Sequence, residues 1–65
     1  MWKENDRFYI DGDIEFDDYN TRVSTGGTVL MNETKGETQL LCCLDEIDGD
    51  KKVNVYVDIT DMKRL

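Results

Sequence analysis

The stretch TQLLCCLDEIDG, residues 38–49, decides how the whole chain is read. Leu40, Cys43, Leu44 and Ile47 follow the i, i+3, i+4, i+7 spacing of a helix with one apolar face. Gly49 stands where a helix closes on a left-handed residue, and Thr38 or Thr34 is a candidate N-cap. Leu41 and Cys42 widen the apolar run beyond that stripe, and a five-residue run of this kind also suits a buried strand. The acidic pair Asp45-Glu46 and the closing glycine tilt the reading to a helix.

On both sides of this segment the pattern has period two. Phe8, Ile10, Gly12, Ile14 and Phe16 alternate with Tyr9, Asp11, Asp13, Glu15 and Asp17, the signature of a half-buried strand with Gly12 at a bend or bulge. Val53, Val55, Val57 and Ile59 alternate in the same way with Asn54, Tyr56, Asp58 and Thr60. Between them, Asp18-Tyr19-Asn20 reads as a turn, and TRVSTGGTVLMN reads as a hairpin closed at Gly26-Gly27, with Val23 opposite Leu30. The predicted fold is therefore α+β. It is a small antiparallel sheet of about four strands in the order β-β-β-α-β, with one helix packed on its apolar face. Residues 1–65 form one domain, with 1–6 and 61–65 expected as flexible tails.

Composition narrows the chemistry. Sixty-five residues carry fifteen acids against eight bases, a formal charge of −7, and no histidine or proline. The commonest general base and metal ligand is thus missing, and no nucleophile turn or phosphate-cradling loop replaces it. Two clustered acids act as acid and base only where a pocket drives their pKa values apart, and so short a chain has little room for one. The expectation is a protein that is not an enzyme and uses no cofactor. Excess acid argues against direct contact with nucleic acid or an anionic membrane. Cys42 and Cys43 are adjacent, too constrained to bridge each other readily and too few to close a zinc site. A cytoplasmic location is expected from that cysteine usage and from the lack of an apolar leader.

The stretch DGDIEFDDYN, residues 11–20, suggests half of a calcium loop. With Gly12 at loop position 6, Asp11, Glu15 and Asp18 fall on ligand positions, but Arg7 and Tyr9 occupy positions 1 and 3. The same exercise at Gly49 puts Leu44 at position 1. No metal site is predicted, and the acids are read instead as a row along a strand. Same-face residues on a strand stand roughly 7 Å apart, similar to the spacing of phosphates along a nucleic-acid strand. Asp11, Asp13, Glu15, Asp17 and Asp18 are the predicted electrostatic contact with a basic partner, and Tyr9, Tyr19 and Tyr56 its anchors.

The layout resembles the YonK-like small proteins of Bacillus prophages. The likeness covers roughly residues 8–60 and rests on a first strand with a central glycine, FYIDGDIEF, and on a helix, glycine turn and valine strand, EIDGDKKVNVYVDI. It implies a small α+β phage protein that oligomerises in the cytoplasm of a bacterial host, with no active-site residue to transfer. A chain of this length without staples also favours a homo-oligomer, for which Leu41, Cys42 and Trp2 are the candidate interface. The expected function is that of a small acidic phage or mobile-element protein. It would inhibit a host defence or regulatory protein, in the manner of a DNA mimic or anti-CRISPR, by occupying its basic, nucleic-acid-binding surface. The alternative is a structural or assembly subunit whose clustered carboxylates bind calcium weakly.

Overall fold

The computed structural model describes residues 1–36 and 38–65, and the side chains of all of these except 32–35. The chain is nearly all β: β1 (Arg7–Phe16), β2 (Tyr19–Lys35), β3 (Gln39–Ile47), β4 (Asp50–Asp58), a 3-10 turn (Ile59–Asp61) and β5 (Met62–Arg64). All pair antiparallel in one sheet, in the order β4-β3-β2-β1-β5. The predicted α+β fold is therefore wrong, and so is the helix on which it rested. A fifth strand takes the place of the expected tail at 61–65.

Residues 39–47 are β3, in which Leu40, Cys42 and Leu44 point inward at period two. What mimicked a helix is an irregularity at the next residue. The ladder between β3 and β4 skips the Asp45–Lys52 position, and Lys52 carries φ 54°. This brings Ile47 back into the core three residues after Leu44, so a strand with one fault reproduces the i, i+4, i+7 stripe. Gly49 is left-handed, at φ 89°, but it follows Asp48 at φ 49° in a two-residue hairpin between Ile47 and Asp50. Asp-Gly serves that turn as readily as a helix stop. With no helix to cap, Thr38 lies in the turn before β3. The side chain of Thr34 lies outside the described residues.

The hairpin expected at Gly26-Gly27 does not exist. The turn falls earlier, at Asp17-Asp18, both at positive φ (51° and 66°), with Phe16 opposite Tyr19. Tyr19 and Asn20, read as turn residues, begin β2, and Val23 faces Gly12 rather than Leu30. Gly12 makes no bulge, since the ladder from Arg7 to Phe16 is unbroken.

Gly26 and Gly27 instead lie in the middle of β2, a strand of 17 residues. A straight strand of that length would run about 55 Å, whereas the molecule is 28 Å in its longest dimension. β2 must bend strongly, and its register with β3 shifts between Val29 and Thr34. A Cβ on Gly27 would stand 2.5 Å from Phe8 Cζ and 2.9 Å from Leu44 Cδ2. The missing side chain lets the ring of Phe8 cross the strand and meet Leu44. By bending, the sheet covers its own apolar face. Phe8, Ile10, Ile14, Val23, Val29, Leu40, Cys42, Leu44, Ile47, Val55, Val57 and Met62 form one core, and β1 comes into contact with β4.

The ends of the chain join this structure. Asn5 donates its N–H to the Val29 carbonyl at 2.7 Å, and Val29 returns a bond to Asp6 at 2.9 Å. Trp2 packs edge-on against Phe8, and the guanidinium of Arg64 lies 4.1 Å over the Trp2 ring, a cation–π contact.

Gly27→Asn separates the two readings of the glycine pair. Asparagine suits a hairpin turn, but in a crowded strand it overpacks Phe8 and Leu44 and costs about 1–3 kcal/mol or more. Urea denaturation should show that loss for Gly27→Asn and a much smaller one for Gly12→Ala, whose new Cβ meets nothing closer than 3.6 Å.

Candidate functional site

The register of β1 fixes which backbone groups it offers to a partner. In an antiparallel pair, residues alternate between those that exchange both hydrogen bonds and those whose N–H and C=O point away. The tight turn at Asp17-Asp18 makes Phe16–Tyr19 a bonded pair, and the bond from Val29 N–H to Asp6 sets the same phase at the far end. Ile10, Gly12, Ile14 and Phe16 therefore bond to β2. Tyr9, Asp11, Asp13 and Glu15 turn the other way. β5 meets this outer edge only from Phe8 to Ile10, and Asp61 lies against Gly12. Beyond it, the backbone of Asp13 and Glu15 faces a groove.

That groove is the seam where the curled sheet does not close on itself. It has a volume of about 590 Å³, with β1 residues 13–16 and Asp17 of the following turn on one wall and Asn54, Val55, Tyr56 and Asp58 of β4 on the other. Asp61 and Gln39 lie between them. Five carboxylates line it: Asp13, Glu15, Asp17, Asp58 and Asp61. None of these has a cationic partner among the described residues, whose ion pairs are Arg7–Asp45, Arg22–Asp11, Lys51–Glu46, Lys52–Asp45 and Arg64–Asp6. Charge is thus segregated. The five paired basic residues compensate acids elsewhere on the surface, and the groove keeps its negative potential.

Of the residues expected to bind a partner, Asp13, Glu15, Asp17 and Tyr56 come together in this groove. Tyr19 is next to it, edge-on to Phe16 at 6.2 Å and half-exposed. Partial burial first, and then the charges of Asp48, Asp17 and Asp50, raise its phenol pKa. The tips of the two hairpins therefore extend the acidic region. Asp18 sits in the turn, apart from the groove lining. Asp11 is neutralised by Arg22 at 2.9 Å, and Tyr9 lies outside the groove with its hydroxyl bonded to Ser24. Asp58, Asp61 and Phe16 were not expected in the site. Asp58 was legible on the polar face of the valine strand, beside Tyr56. Its carboxyl is held low first by the N–H and then by the hydroxyl of Thr60.

The expected oligomer interface does not gather on one surface. Cys42 is fully buried in the chain's own core, and burial pushes its thiol up to about 11, so it is neither an accessible contact nor a reactive group. Leu41 lies half-buried opposite Tyr56 on the outer face of the sheet, while Trp2 packs against Phe8. Among the described residues no three acids or cysteines converge closely enough to cage a metal ion. No helix of the described residues is long and apolar enough to cross a membrane.

Arg7 donates to both carboxylate oxygens of Asp45, at 3.0 and 3.1 Å, and this hydrogen-bonding lowers the Asp45 pKa. The N–H of Lys3 does the same for Asp6. A folded pKa below the unfolded one gives stability that is present above about pH 4 and lost as pH falls through the folded value. Asp45→Asn should therefore lower the melting temperature at neutral pH, by about 0.5–1 kcal/mol in stability for a surface pair. The variant and the parent should converge in acid, as thermal melts across that range would show.

No protein-family model matches the chain, and no curated protein or solved structure matches it either.

Proposed function

We propose that the protein is a non-enzymatic interaction module that occupies a basic, nucleic-acid-binding surface of a host protein. The observation that carries this reading is the uncompensated row of carboxylates on β1 and along the seam. Asp13 and Glu15 stand on one face of a strand at a pitch of roughly 7 Å, and Asp17 follows in the turn. Asp58 and Asp61 add charge from the opposite wall and the turn. Such an array presents negative charge at near-regular intervals on a fixed scaffold, as a nucleic-acid backbone does, and it accelerates encounter with a positive groove.

The turn at Asp17-Asp18 supports the same reading. Both residues sit at positive φ, where glycine is favoured at the second position, and the hairpin at Asp48-Gly49 has that glycine. A carboxylate at residue 18 sacrifices local backbone preference for charge. Departures of this kind concentrate at functional sites.

Capture from a bacterial lysate on the immobilised protein tests the proposal, with Asp13→Lys/Glu15→Lys as the comparison. The parent should retain basic nucleic-acid-binding proteins, release them as monovalent salt rises, and be displaced by DNA. The double variant should lose them. Equal capture by parent and variant, or capture indifferent to salt, would contradict the charge-based reading.

A further inference from the structure

The groove has a property that the row of acids does not by itself imply. Both walls are sheet edges: β4 ends the sheet on one side, and on the other β1 is left uncovered beyond β5. Asp13 and Glu15 point their backbone N–H and C=O into the seam, and no hydrogen bond among the described residues takes up these groups. An exposed edge of this kind is a template for one more strand. The rest of this β1 edge is covered: β5 pairs with Phe8 to Ile10, and Asp61 lies against Gly12. Protection stops where the carboxylates begin.

We propose that the seam takes an extended basic segment of the partner, which adds to β1 as a strand and pairs its backbone with Asp13 and Glu15. This rests on the reading of the partner surface as basic and specifies the form in which it is presented. Charge selects the occupant. A residue paired directly with Asp13 or Glu15 places its side chain on the same outer face as those carboxylates, so Lys or Arg at alternate positions meets them as cross-strand ion pairs. The intervening residues turn inward, toward the side of the edge that carries Ile14 and Phe16, and are apolar. A second copy of this chain is the wrong occupant, because it would bring one row of acids against another. The segment recognised is thus an alternating basic–apolar strand.

The strand register supplies an internal control. In a Lys-Val alternating peptide, the lysines that sit opposite Asp13 and Glu15 also direct their own N–H groups at β1, while the valine N–H groups point away. Methylating the lysine backbone nitrogens removes those donors and leaves every charge in place. Calorimetric titration at low salt should show that the unmodified peptide and the valine-N-methylated peptide bind alike. The lysine-N-methylated peptide should bind about tenfold or more weaker, the loss expected for two missing hydrogen bonds. Amide resonances of Asp13 and Glu15 should shift on binding of the first two peptides. If all three peptides bind equally and lose affinity together in salt, strand addition is wrong while the charge-based reading stands. If the unmodified peptide does not bind although the lysate proteins do, the basic surface is not presented as a strand and the inference is again overturned.

Discussion

A single sheet with no α-helix among the described residues to lie on it must hide its apolar face by curling, and the contact that allows this is Phe8 against Leu44 across Gly27. An antiparallel sheet exposes one face to water at little cost, but the other must be covered. Here the cover is the sheet itself. The long β2 bends within a molecule whose shortest extent is 16 Å, room for two layers about 10 Å apart. β1 and β5 join to one part of it, β3 and β4 to the other. Any side chain at residue 27 would hold Phe8 away from Leu44 and open the core that the bend creates.

The same constraint produces the seam. A strand order of β4-β3-β2-β1-β5 closes fully only if its two edges meet, and β5 is three residues long. It covers the beginning of β1 and leaves the rest facing β4 across a groove. The site is thus a consequence of how the chain ends its sheet, and its walls are strands held by the core. Side chains on such walls are positioned by pairing and packing, so the pitch of Asp13 and Glu15 is fixed before any partner arrives. Preorganisation of this kind reduces the ordering cost of binding.

Much of this was legible in the residues, and the failures have physical causes. β1 and β4 alternate cleanly, and their inward residues, Phe8, Ile10, Ile14, Val55 and Val57, form the core as their period predicts. The run from Leu40 to Leu44 fits two periods at once. The fault opposite Lys52 then shifted Ile47 into the helical stripe, so periodicity favoured the wrong element. Gly26-Gly27 has the composition of a turn, and only the nearness of Phe8 and Leu44, distant in sequence, shows that a close crossing requires it. The acidic row was visible from alternation alone. Its unpaired backbone was not, because that depends on where β5 begins, and residues 61–65 carry the pattern of a tail.

The central claim is that β1 leaves its edge open at Asp13 and Glu15 while its other edge is locked to β2. Residue-resolved amide exchange by NMR tests this most directly. The account predicts slow exchange at Ile10, Gly12, Ile14 and Phe16, interrupted by fast exchange at Asp13 and Glu15 in the isolated protein. Protection at Asp13 and Glu15 equal to that of their neighbours would mean that the seam is closed, and would contradict it.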